Sequence, residues 1–158
     1  MFTGIIQDLG TIKTKEQGLY QISTNLDLSN CKEGSSISCN GVCLTAKNIT
    51  QIDKKSFSFE VNIGEETLKR TNLANSISKN DKINLEKSLL IGDEISGHFV
   101  YGHVDTITTV SDILELDNSW EYHFEKNFNK NNRFIVEKGS ISINGISLTV
   151  AKVENNTF

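Results

Sequence analysis

Short runs rich in Ile, Val, Thr and Phe recur along the chain, set apart by Gly, Asn, Asp and Ser. FSFEVNI at 57–63 alternates apolar and polar positions as a half-buried strand does, and KINLEKSLLIG at 82–92 is a second strand-like run. Helical periodicity is scarce. EETLKRTNL at 65–73 predicts one short helix, with Thr67 as a cap and Leu68 anchoring its apolar face. Many short strands and little helix predict an all-β protein built as small barrels or sandwiches.

The pattern repeats. GSSISCNGVCLTAKNI at 34–49 matches GSISINGISLTVAKV at 139–153, with one extra Ser in the first copy. TGIIQDLGTI at 3–12 aligns more weakly with YGHVDTITTV at 101–110, pairing Gly4 with Gly102. Matches in the same order indicate a tandem duplication. The expected domains are a complete first repeat over 1–97 and an incomplete second repeat over 98–158. Extending the alignment sets Phe158 against Lys54, so the chain is expected to be a fragment whose second barrel is truncated.

Asn-Gly between alternating runs predicts a hairpin, because both residues tolerate the positive φ of a type I′ turn. Turns at Asn40-Gly41 and Asn144-Gly145 set Cys39 opposite Val42 and Ile143 opposite Ile146. One face then carries Ile37, Cys39, Val42, Leu44 and Ala46 in the first copy, and Ile141, Ile143, Ile146, Leu148 and Val150 in the second. These are the expected core faces. The opposite faces carry Ser36, Ser38, Cys43 and Thr45, and Ser140, Ser142, Ser147 and Thr149. Such small polar residues form either a solvent-facing surface or a flat floor for a planar ligand. Cys39 and Cys43 point to opposite faces, which disfavours a disulfide between them.

Composition narrows the function classes. Hydrophobic residues make up 37% and charged residues 23%, ordinary for a globular protein. The net charge of -4 argues against a broad nucleic-acid surface. No signal-peptide pattern or membrane-length apolar run occurs, and three cysteines in a chain of this size suit a reduced cytoplasmic setting. His98 and His103 in GHFVYGHVD are spaced poorly for sharing a metal, and no CxxC, HxH or HExxH spacing exists. Cys43 with His103 could form a thiolate pair, but no nucleophile-elbow or phosphate-loop pattern accompanies it. Glu65-Glu66-Thr67 suits a helix start, and backbone leaving a strand at Gly64 could bond the amide-like edge of a heterocycle.

MFTGI, NGVCLT, EETLKRTNL, GDEISGHFVYGHVD and NGISLTV, in this order, resemble the riboflavin synthase α-chain family over essentially the whole chain. The resemblance implies two six-stranded Greek-key barrels in tandem, a homotrimer, and one 6,7-dimethyl-8-ribityllumazine per barrel. The active site lies between the first barrel of one subunit and the second barrel of a neighbour. By the same resemblance, two substrates are expected to react by transfer of a four-carbon unit from one to the other, giving riboflavin and a ribitylaminopyrimidinedione, without metal or organic cofactor.

Carried over by resemblance, Gly4, Ile5 and Ile6, Cys43, Leu44 and Thr45, and Asn62, Ile63, Gly64, Glu65, Glu66 and Thr67 match the first pocket. Gly102, His103 and Val104, Lys138, and Ser147, Leu148 and Thr149 match the second. Phe2 matches a residue that reaches into the site. Cys43 is the implied nucleophile or acid–base participant, with His103 and Ser147 as polar partners and Thr149 and Ser36 in support. The family often has a cysteine pair where this chain has Val42-Cys43. A truncated second pocket would leave the chain impaired. The alternative within the fold is a non-catalytic lumazine or flavin carrier. A purely structural β-domain is a third reading.

Overall fold

The computed structural model describes residues 1–126 and 130–158. The first repeat is a closed barrel. Its strands are β1 (Asp8–Glu16), β2 (Leu19–Thr24), β3 (Ser36–Cys39), β4 (Val42–Gln51), β5 (Phe57–Asn62) and β6 (Lys82–Lys87). They close in the order β1-β2-β5-β4-β3-β6 with antiparallel neighbours. The β3–β4 hairpin lies between β5 and β6, which is the Greek-key feature.

The first hairpin has the expected turn and register. Asn40 and Gly41 adopt φ of 48° and 81°, Cys39 pairs with Val42, and Ser38 pairs with Cys43. Ile37, Cys39, Val42, Leu44 and Ala46 are buried in the barrel core with Ile22, Phe59, Val61 and Leu85. The Tyr20 hydroxyl donates to the Leu73 carbonyl at 2.8 Å, and Lys15 Nζ donates to the Ile77 carbonyl at 2.7 Å. These bonds tie the segment after β5 across the barrel.

That segment begins with helix α1 (Glu65–Arg70). Its N-cap is Gly64, without a side-chain cap, so Thr67 is an interior residue and not the cap expected. The helix starts earlier because Gly64 already accepts from the Leu68 amide at 3.0 Å, directly beyond the end of β5. Leu68 packs on the core as anticipated.

The second repeat has two separate hairpins. One joins β7 (Val110–Leu116) to β8 (Ser119–Phe124), and the other joins β9 (Ser140–Ile143) to β10 (Ile146–Thr149). Asn144 and Gly145 repeat the first turn with φ of 48° and 83°, and Ser142 pairs with Ser147. Phe124 and Phe158 exchange both backbone hydrogen bonds, at 2.9 and 3.0 Å. Thr24 pairs with Phe57 in the same way in the first barrel. Phe158 is therefore the counterpart of Phe57, not of Lys54. The connection after the second hairpin is shorter, and an ungapped alignment misses this.

The expected core face of the second copy is only partly covered. Val150 is buried, but Ile146 and Leu148 are 40% and 38% exposed. No closed barrel forms over them among the described residues. Instead a cavity of about 780 Å³ opens beside Val100, Phe124, Ile141, Ile143, Val150 and Phe158. Asn40, Gly41, Val42, Thr71 and Asn72 of the first repeat also line it.

Candidate functional site

The two repeats trade their leading segments. Phe2 and Val100, equivalent residues of the two copies, bond reciprocally: Phe2 N to Val100 O at 2.7 Å, and Val100 N to Phe2 O at 3.0 Å. Beyond this bridge each arm crosses to the other repeat's hairpin. The Cys43 amide donates to the Gly102 carbonyl at 2.9 Å, and the Ser147 amide donates to the Gly4 carbonyl at 2.7 Å. The crossing requires glycine twice. Gly4 and Gly102 both have φ of +78°, and a Cβ would sit 2.7 Å from Ser147 Cβ and 2.6 Å from Cys43 Cβ respectively. The hairpin turns also meet, since a Cβ on Gly41 would lie 2.6 Å from the Gly145 nitrogen.

One buried carboxylate anchors the first arm. Glu86 is 3% exposed. Its Oε1 accepts from the Thr3 amide and hydroxyl at 2.7 and 2.8 Å, and its Oε2 accepts from the Gly4 amide at 3.0 Å. Ser38 stands between Cys43 and Glu86 across the sheet and is 1% exposed. The polar ladder of the first copy is thus covered in part by crossing arms, and is not the open floor that alternation suggests. Ser36 and Cys43 remain half-buried and Thr45 exposed.

This crossing brings together segments that the resemblance assigns to different pockets. Gly102, His103 and Val104 accompany Cys43, Leu44 and Thr45, while Gly4, Ile5 and Ile6 accompany Ser147, Leu148 and Thr149. Val104 packs on the core of the first barrel. Ala46 pairs with Val61, so Thr45 and Asn62 each adjoin the end of the β4–β5 ladder. Asn62, Gly64, Glu65 and Glu66 are exposed, Thr67 is half-buried, and Ile63 points into the core. Lys138 is exposed, with φ of 63°, and its amide donates to the Val150 carbonyl at 2.8 Å. Phe2 is wholly buried, and its backbone makes the arm bridge to Val100.

The histidine beside Ser147 is His98. Its Nδ1 lies 2.7 Å from Ser147 Oγ. His103, expected with Ser147 as a polar partner of Cys43, is exposed on the arm whose Gly102 carbonyl accepts from the Cys43 amide. Sequence reasoning weighed His98 only as a metal ligand and missed this contact. The glycine before each histidine in GHFVYGH was the available signal, since Gly97 and Gly102 both mark close backbone approach. Cys31, Cys39 and Cys43 are free thiols. Burial pushes the Cys39 thiol far above the ordinary range, with Cys43 nearby adding to the shift. Cys39 therefore acts as a small core hydrophobe.

The fold defines a tandem β-repeat protein whose first repeat is a closed barrel, and the comparisons agree. The Lumazine binding domain family matches residues 3–88 and 101–158. The riboflavin synthase of Buchnera aphidicola subsp. Baizongia pistaciae is 39% identical, covering 100% of this chain and 74% of the relative. That of Brucella abortus is 38% identical over 100% of this chain and 79% of the relative. That of Bacillus subtilis is 35% identical over 99% and 72%. The chain belongs to the riboflavin synthase family. Its fold is that of LumP complexed with 6,7-dimethyl-8-(1'-D-ribityl) lumazine, with a TM-score of 0.75 at 20% identity over 99% of this chain and 83% of that one. LumP complexed with riboflavin gives 0.75 at 22% identity, over 99% and 84%. No helix among the described residues is long and apolar enough to cross a membrane.

Proposed function

We propose that this chain is a riboflavin synthase, which converts two molecules of 6,7-dimethyl-8-ribityllumazine to riboflavin and 5-amino-6-(ribitylamino)uracil by transfer of a four-carbon unit. The observation that carries the reading is the similarity to riboflavin synthases over the whole of this chain, combined with equivalent placement of Cys43 and Ser147 on two matching hairpins. Two copies of one ligand have to be held together, and a duplicated site suits that task. Fixing two reactants in a productive geometry supplies a large share of such an acceleration.

In this reading the first half-site comprises Cys43–Thr45 and Asn62–Thr67 with the crossing segment Gly102–Val104, and Ser36 in support. The second comprises Ser147–Thr149 and Lys138 with Gly4–Ile6. Backbone amides beyond β5 and polar side chains recognise the heterocycle edge. Cys43, His103 and Ser147 serve nucleophilic and proton-transfer steps. A homotrimer in the cytoplasm would set one subunit's first half-site against a neighbour's second. Incubation with the lumazine tests the reading. Riboflavin should appear at one per two lumazines consumed, faster than in a protein-free control. A stable complex without turnover would identify a carrier instead.

A further inference from the structure

We infer that His98 is a positioning residue for Ser147, holding its hydroxyl in one orientation at the second half-site. The inference rests on the reading of Ser147 as a site residue. A serine hydroxyl is free to turn about χ1 and about its Cβ–Oγ bond. Here the first freedom is restricted by packing. A Cβ on Gly4 would approach Ser147 Cβ to 2.7 Å, and one on Gly97 would approach it to 3.0 Å and Ser147 Oγ to 3.1 Å. Two glycines thus pack directly on this side chain. The remaining freedom is taken up by His98 Nδ1, 2.7 Å from Ser147 Oγ in a half-buried contact.

The backbone that carries the imidazole is itself anchored along the chain. The His98 amide donates to the Thr3 carbonyl at 3.0 Å, and Val100, two residues on, is bridged to Phe2. Thr3 in turn is bonded to the buried Glu86. A continuous path therefore runs from the first barrel's β6 through the arm to the Ser147 hydroxyl. Among the described residues no imidazole makes the equivalent contact with Cys43, so the two half-sites differ in how their ladder residue is oriented.

The test compares His98→Ala, His98→Asn, Ser147→Ala and the double variant His98→Ala/Ser147→Ala in the full chain, by kcat and KM for lumazine turnover and by riboflavin binding. His98→Ala should lower kcat by about 10²-fold, the scale of a misplaced reacting group, with little change in KM. The double variant should be no slower than Ser147→Ala, because the two act as a unit. Asparagine places a hydrogen-bonding atom near the position of Nδ1 and should restore most of the loss. An unchanged kcat in His98→Ala, additive losses in the double variant, or no rescue by asparagine would overturn the inference. If Ser147→Ala alone leaves turnover and riboflavin binding intact, the half-site reading fails, and the inference fails with it.

Discussion

The amide of Cys43 donates to the carbonyl of Gly102 at 2.9 Å, and this bond joins one repeat to the other. Its counterpart joins Ser147 to Gly4. Each ladder residue with chemical potential is therefore held by an arm from the opposite repeat. The repeats are not two sites in series. Each completes the other.

Replacing Gly102 with alanine should damage the first half-site more than a strained backbone alone explains. The positive φ costs about 1–2 kcal/mol for any L-residue. The added Cβ also strikes Cys43 at 2.6 Å. Gly34 is the control: its φ is +89°, yet a Cβ there meets nothing within 4 Å. Urea denaturation should show Gly102→Ala to be less stable than Gly34→Ala, and riboflavin titration should show weakened binding in the first variant only. Equal losses would mean that the arm contact contributes nothing.

Glu86→Gln should loosen the first arm. The carboxylate accepts three hydrogen bonds in a buried setting. An amide has one accepting oxygen, and its NH₂ would face donors from Thr3 or Gly4. A loss of about 2–3 kcal/mol is expected from denaturation curves. Amide exchange should quicken at Ser147, whose partner is the Gly4 carbonyl, and stay slow at core residues such as Phe59.

Thiol labelling should sort the cysteines by face. Cys39 lies in the core with its thiol pushed up by burial, so it should resist iodoacetamide in the native protein. Cys43 is half-buried on the other face and should react. Riboflavin should slow its modification, as mass spectrometry of tryptic peptides would reveal. Protection of Cys31 in place of Cys43 would move the ligand to another part of the barrel.

Asp8 should contribute to acid sensitivity. Burial alone raises its pKa, but hydrogen bonds from the Thr24 hydroxyl and the Asn25 and Leu26 amides outweigh that and leave it lowered. A carboxylate depressed on folding stabilises the protein above its unfolded pKa, near 3.8, and loses that contribution as pH falls through the lower folded value. Asp8→Asn should therefore destabilise at pH 7 by about 1 kcal/mol, and the gap to the parent should close below about pH 4. A gap that persists at low pH would assign the loss to packing.

The hairpins, their register and the barrel core were legible because each depends on local alternation and on Asn-Gly turn chemistry. Cys39 opposite Val42 and Ser142 opposite Ser147 follow from the turns alone. The arm exchange was not legible. Gly4 aligned with Gly102 reveals equivalence, but equivalence does not say which hairpin each glycine meets. That choice is made by long-range contacts, the Phe2–Val100 bridge and the Glu86 anchor, which leave no periodic trace. His98 was missed for the same reason, because its partner lies 49 positions away. Thr67 was misread as a cap because Gly64 offers no side-chain signal.

A structure of the riboflavin complex tests the crossed half-site most directly. One flavin ring should contact Cys43–Thr45 of the first repeat and His103–Val104 of the second at once. A ring touching first-repeat residues alone, or lodged in the open interior beside Ile141 and Phe158, would contradict it.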